Sequence, residues 1–218
     1  MLAGMITATA NSKGGVGKST IAVHLAMWLH DHGRRVALVD ADHQNSSSLW
    51  ATEAEPRLHV VSLNAPDEII KQTKRLAREY EHVVIDGLAG LDEVTRAMLL
   101  VADMALIPCG PSLLDVRAAS LAVQVLESAQ LVRDGKPTAL FICNKVQPNT
   151  RLSRELIETA HSFGIPVAAA SIQFRQVYTD AVSQKSAVWR MGWRGREAAA
   201  ELTQLFQEVR SYETAIHA

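Results

Sequence analysis

The chain has 218 residues, 48% of them hydrophobic, with 22 basic and 23 acidic side chains for a formal net charge of -1. That is enough chain and apolar content to fold around a substantial core, which excludes a chain disordered throughout. The near-neutral balance excludes whole-molecule attraction to nucleic acid, so any DNA contact must come from a local patch.

The opening "MLAGMITATA" is apolar and lacks a basic leader, so a buried strand is expected there rather than a signal peptide. "MITATAN" (residues 5–11) is the strand proper. A glycine-rich loop follows at once, so a separate DNA-reading domain ahead of it is not expected. "STIAVHLAMWLHDHG" has the pattern of a helix stopped by Gly33, and "RRVALVD" (34–40) of a second strand. "LHVVSL" (58–63) is a third strand, "APDEIIKQTKRLAREY" an amphipathic helix, and "HVVID" (82–86) a strand apolar enough to be buried on both faces.

The alternation continues. "DMALIPC" is a strand and "SLLDVRAASLAVQVLESAQLVRDG" a long helix. "TALFICN" is a strand, "TRLSRELIETAHSFG" a helix ending at Gly164, "VAAASI" a strand and "REAAAELTQLFQEVRSYE" a last helix. Strands alternating with helices predict an α/β fold, a mostly parallel twisted sheet with helices on both faces. With no repeat or linker evident, one domain over residues 1–218 is expected. No apolar run approaches the roughly 20 residues that span a bilayer. Cys109 and Cys143 cannot make a disulfide framework, which points to a reducing compartment.

The loop "ANSKGGVGKSTIAVHL" sits between the first strand and the first helix, where a phosphate site belongs. Glycines let the backbone wrap an anion closely. The amides of Gly15 to Ser19 can then point inward, reinforced by the helix N-terminus. Lys18 would reach the β- and γ-phosphates, Ser19 would ligate Mg²⁺ and Thr20 would bond the α-phosphate. Ser12 stands where the strict G-x-x-x-x-G-K-[ST] pattern has its first glycine.

"KGGVGKST" resembles the deviant Walker A motif of the ParA/MinD family of ATPases, whose early signature lysine matches Lys13. That resemblance implies a P-loop ATPase fold. It makes Gly14, Gly15, Val16, Gly17, Lys18, Ser19 and Thr20 the nucleotide-binding set. It also implies that Lys13 crosses to the nucleotide of a second subunit in an ATP-bound homodimer and neutralises charge on the transferring phosphate. The plainer alternative for Lys13 is a solvated loop lysine. "VALVDADHQ" resembles the family's D-x-D-P-Q motif, with His43 in place of the proline. By that match Asp42 holds the attacking water and Asp40 supports the Mg²⁺ shell. "HVVIDGLAG" resembles the Walker B strand, without its usual prolines. Asp86 would bind Mg²⁺ through a water, and Gly87 and Gly90 would free the following loop. Asn144, ending "ALFICN", matches the family asparagine that reads adenine, and an Asn ending a strand in a turn is equally compatible with the residues.

The resemblance extends over most of the chain and is to small ParA-type members. It implies ATP and Mg²⁺ as ligands, non-specific DNA and a ParB-like or other centromere-binding adaptor as partners, and a cytoplasmic, nucleoid-associated location. Segregation of plasmid or chromosomal DNA is the leading expectation. The alternatives are positioning of protein cargo such as chemoreceptor arrays or carboxysomes, and a MinD-type membrane-recruited regulator. A membrane contact is not expected, because the terminal "ELTQLFQEVRSYETAIHA" lacks a Lys/Arg-rich polar face. For DNA, Arg190, Arg194 and Arg196 form a basic cluster in "VWRMGWRGRE", with Trp189 and Trp193 beside them. Arg151, Arg154, Arg175 and Lys185 are further candidates, and a merely solvated face is the alternative. Neither cysteine closely follows Asp86, unlike the iron–sulfur relatives of this lineage, and His30 and His32 do not share a helix face.

Overall fold

In the computed structural model, residues 4–90 and 93–216 are described; the expected start of the first strand at residues 1–3 and the last two tail residues lie outside them. Six parallel strands form one sheet: β1 (Met5–Asn11), β2 (Val36–Asp40), β3 (His59–Ser62), β4 (His82–Ala89), β5 (Met104–Cys109) and β6 (Thr138–Cys143). Their order is β3-β2-β4-β1-β5-β6. The chain runs out from β1 through β2 to β3, returns to place β4 between β2 and β1, and then runs out the other way through β5 to β6; such a reversal of strand order leaves a crevice at the carboxyl ends of the strands.

The helices are α1 (Lys18–Asp31), α2 (Ser46–Ala54), α3 (Pro66–Glu79), α4 (Glu93–Val101), α5 (Leu113–Val132), α6 (Arg151–Ala160), α7 (Gln176–Ser183) and α8 (Arg196–Ile216). Side chains alternate between the two faces of each strand. Leu38, Val84 and Leu106 pack under α1 and α8, in one cluster with Leu25, Leu29, Leu205 and Phe206. Val39, Val83 and Ile85 face the other way, against Ile69 of α3 and Met98 of α4. Ile107, Phe141 and Cys143 meet Val123 and Leu126 of α5 and Leu156 of α6. Both faces are covered, as an all-parallel sheet requires. Both cysteines are free and buried, and burial pushes the Cys109 thiol up to about 12 and that of Cys143 to about 11.

The fold class is as expected, with two differences. "VAAASI" is not a strand. After β6 the chain returns along the sheet edge and pairs with β6 and the turn after it through isolated bridges, Phe141 to Val167 and Val146 to Gln173. Ala168 N–H and Ile172 N–H do donate to Phe141 O and Cys143 O of β6, at 2.8 and 2.9 Å, but four residues on one side step past two on the other. No regular ladder forms, and Ala169 N–H between them donates to the Glu208 carboxylate. The pattern also gave no sign of α2, α4 or α7. All three are short, and α2 opens with a serine run that has the composition of a turn.

Candidate functional site

The glycine-rich loop leaves the carboxyl end of β1 and enters α1. Gly15 (φ 77°) and Gly17 (φ 101°) lie in the left-handed region, where a side chain is disfavoured. Gly17 is also pressed against Asn144: a Cβ there would sit 2.1 Å from Asn144 Nδ2. Gly17 caps α1 without any side-chain hydrogen bond, and no acid occupies the first turn. The N-terminal amides of a 14-residue helix therefore stay available to an anion.

Lys18 is only 6% exposed, and its Nζ donates to the Lys13 carbonyl at 2.8 Å. Burial lowers its pKa, and the nearby Asp86 and Asp42 carboxylates oppose that shift. Two further contacts staple the loop to β6 and the turn after it. Asn144 Nδ2 donates to Val16 O at 2.7 Å and Lys145 Nζ to Gly15 O at 2.6 Å. Lys145 carried no role in the sequence reading; its signal was the residue type immediately after a strand-end asparagine.

A cavity of about 240 Å³ opens over this loop, bounded by Gly14, Lys18, Ser19, Asp42, Gly87 and Lys145. Asp42 reaches it because Asp40 shapes the turn. Asp40 is fully buried at the end of β2. Its Oδ1 accepts from Asp42 N at 3.0 Å and its Oδ2 from Ser48 N at 2.8 Å, in the first turn of α2. Asp42 Oδ1 in turn accepts from Gln44 N at 2.9 Å. Asp86, buried within β4 where it passes the glycine loop, accepts from Thr9 Oγ1 at 3.3 Å. Burial raises its pKa to about 6; the Ser19 and Ser47 hydroxyls and the Lys18 ammonium pull it down, and Asp40 pushes it up.

A divalent cation fits this corner. The Ser47 hydroxyl is buried close enough to the Asp86 carboxylate to favour its charged form, yet it meets no partner in full hydrogen-bond geometry among the described residues. Two carboxylates and two hydroxyls are hard oxygen donors of the kind Mg²⁺ prefers.

A second cavity of about 260 Å³ continues from Gly17 and Thr20 toward Asn144, Phe174, Tyr178 and Thr179. This is room for a base and sugar beyond the phosphates. Of its lining, Gly17, Thr20 and Asn144 are residues the sequence assigns to the nucleotide; most of the rest comes from the irregular return after β6 and from α7, with Ile21 of α1 and Leu202 of α8 behind them.

Lys13 lies at the mouth of the loop, and its Nζ meets Asp115 Oδ1 at 2.5 Å. The basic cluster does not stay together as one surface. Arg190 is bound by Asp31, Glu55 and the Ala54 carbonyl. Arg194 stands 3.7 Å from Asp180, and Arg196 is exposed with no ion pair among the described residues. Trp193 beside them is 82% exposed, whereas Trp189 donates to Asp31. Of the further candidates, Arg151, Arg175 and Lys185 are paired with Glu155, Glu201 and Glu53.

The model of the CobQ/CobB/MinD/ParA nucleotide binding domain matches residues 7–188. The chain belongs to that family. It is a ParA/MinD-type P-loop ATPase. It is 35% identical to the "Maintenance of carboxysome distribution protein A" of Halothiobacillus neapolitanus over 93% of this chain and 94% of that one. The protein of the same name from Gloeobacter kilaueensis is 31% identical, over 94% and 93%. ParA of Rhizobium radiobacter is 28% identical over 67% of each chain. Among solved structures, an ATP complex of Cyanothece McdA superposes with a TM-score of 0.78 at 17% identity, covering 97% of this chain and 96% of that one. MinD of Pyrococcus furiosus gives 0.73 at 20% identity, over 96% and 99%; at such identities the likeness shows the fold alone. Among the described residues, no helix of this ParA/MinD-type ATPase is long and apolar enough to cross a membrane.

Proposed function

We propose that this ATPase positions a protein assembly in the cell by cycling between an ATP-bound dimer on nucleoid DNA and a released monomer. The observation that carries the cargo assignment is the 35% identity, over nearly the whole of both chains, to a carboxysome distribution protein. The leading expectation from the sequence, DNA segregation with a centromere-binding adaptor, becomes the second reading, supported by the shorter match to ParA.

The site supports the chemistry as follows. Triphosphate seats on the α1 N-terminus and the amides from Gly14 to Thr20, with Lys18 on the β- and γ-phosphates and the base in the cavity beside Asn144. Mg²⁺ would be held by Ser19 and, through water, by Asp86 with Asp40 behind it; when bound it neutralises charge on the phosphates. Asp42, held by the Asp40 turn, orients the water that attacks the γ-phosphate. Lys13 of a second copy completes the charge balance, and its departure after hydrolysis ends the dimer. Nucleotide chemistry is thereby converted into subunit affinity.

Deletion of the gene in its host separates the readings. With fluorescently tagged candidate assemblies, loss of even spacing while plasmid and chromosome inheritance stay normal is expected. Normal spacing with raised DNA loss would return the assignment to segregation.

A further inference from the structure

The ion pair between Lys13 and Asp115 is built from both sides. Asp115 lies on the first turn of α5, where Ser112 Oγ accepts its backbone N–H at 3.1 Å. Gly110 leaves room for the carboxylate, since a Cβ at that position would come within 2.5 Å of Asp115 Oδ2. On the other side, the loop is fastened to the same β5–α5 segment. Asn11 Nδ2 donates to Pro108 O at 2.8 Å, Asn11 Oδ1 accepts from Lys13 N at 2.9 Å, and Ser12 Oγ donates to Ala118 O at 3.0 Å. The serine that replaces the first glycine of the strict motif thus ties the loop to α5. Lys13 remains 39% exposed and Asp115 15%, so the pair sits at the surface from which Lys13 would leave. Leu113 and Leu114, on the same helical turn, are exposed apolar shoulders beside it.

We propose that Asp115 is a positioning residue that holds Lys13 within its own subunit, so that this pair must open before the ammonium reaches a second copy's nucleotide. The inference rests on the dimer reading above. One ammonium cannot serve the neighbouring carboxylate and a distant phosphate at full strength together. A partly exposed pair is a weak restraint, about 3-fold in an equilibrium. A twofold dimer opens two of them, so the restraint acts about 10-fold on dimerisation. It keeps the nucleotide-free and ADP-bound chain monomeric while the stronger attraction of triphosphate overrides it.

Two variants test this. Asp115→Asn removes the charge, and Gly110→Ala keeps the charge but displaces the carboxylate at a position whose backbone tolerates alanine. In nucleotide-free protein, acylation of Lys13 by a water-soluble amine reagent, read by mass spectrometry, should rise about 3-fold in both. With AMPPNP and magnesium, sedimentation should show the dimer dissociation constant falling about 10-fold. Unchanged Lys13 labelling overturns the pair itself. Raised labelling with unchanged dimer affinity overturns the restraint. A wild-type chain that binds AMPPNP yet stays monomeric would overturn the dimer reading and the restraint with it, while the labelling still reports on the pair.

Discussion

Asp40 accepts the backbone N–H of Asp42 at 3.0 Å, so two acids that stand as a matched pair in the sequence do different work. Asp40 is buried and both its oxygens hold backbone, one in the Asp42 turn and one at the start of α2. Asp42 is left facing the phosphate cavity. Asp42→Ala should leave the melting temperature within a degree or two and cut ATP turnover by about 100-fold or more, as loss of a water-positioning group does. It should also prolong the ATP dimer. Asp40→Ala should instead cost about 3 kcal/mol of stability, because two amides lose a charged acceptor in the interior. Parallel calorimetry and phosphate-release assays on the two variants check the division. Equal loss of stability in both would refute it.

How far the sequence could be read follows the range of the interactions. The strands announced themselves through short apolar runs, and the glycine loop through residues whose backbone role is local. Gly17 needs its own φ of 101°, and Lys18 follows from its place after it. What could not be read depends on distant partners. Helix α2 starts where Asp40 offers an acceptor from β2 to Ser48, which no local pattern announces. Residues 167–172 have the alternation of a strand, but Ala168 and Ile172 donate to Phe141 and Cys143, so four residues pass two of β6 and the ladder breaks, while Glu208 of α8 holds the intervening Ala169 amide. The role of Asp115 depends on a lysine 102 positions earlier in the chain.

Lys18 and Lys13 should separate cleanly in binding experiments. Lys18→Ala removes a buried ammonium from the phosphate seat and should weaken ATP binding by about 100-fold, the worth of charge-assisted hydrogen bonds in a sheltered site. Lys13→Ala should bind ATP within a few-fold of the wild type and lose turnover and dimerisation. Titration with a fluorescent ATP analogue beside sedimentation of the same samples tests both. Wild-type turnover in Lys13→Ala would remove its role toward a second subunit.

Gly17 is constrained twice, by its φ and by the approach of Asn144 Nδ2. Gly17→Ala should cost about 2 kcal/mol of stability and weaken nucleotide binding, because Asn144 must release Val16 O to make room. Gly33 has a positive φ as well, but a Cβ there meets nothing within 4 Å. Gly33→Ala should therefore cost less than Gly17→Ala and leave ATP affinity unchanged. Similar affinity losses in the two would argue against the contact as the cause.

His24 gives the fold a pH dependence of defined sign. It is fully buried in α1, with Nδ1 against Thr20 O at 2.7 Å and Nε2 accepting from Val188 N at 3.2 Å. These partners require the neutral ring with its hydrogen on Nδ1. Burial lowers the pKa to about 4, from an ordinary value of 6.5. The unfolded chain therefore binds this proton more readily between pH 6.5 and 4. Stability is full above about pH 6.5 and falls by about 3 kcal/mol as the pH drops to 4. His24→Gln should start less stable and show a flatter acid limb between pH 6.5 and 4. Urea unfolding across that range measures it, and parallel limbs in the two proteins would rule His24 out as the source.

The arginine cluster divides by partner, which sets the last prediction. Arg190 neutralises Asp31 and the buried Glu55. Arg190→Ala should therefore destabilise the fold by about 2 kcal/mol, chiefly through the carboxylate left without a partner. Any effect on DNA would follow from misfolding. Arg194 lies in the exposed turn with Trp193 and Arg196 opens α8 beside it; among the described residues their one ion pair is the 3.7 Å contact of Arg194 with Asp180. Changing both to Ala should leave stability within about 0.5 kcal/mol. It should also weaken DNA binding in the ATP state. Each lost phosphate contact lowers the salt slope by about 0.9, so a dimer losing four contacts should show a slope shallower by about 3 to 4. Fluorescence anisotropy on duplexes of unrelated sequence, across a salt series, reads the slope directly. An unchanged slope would move the DNA surface away from this turn.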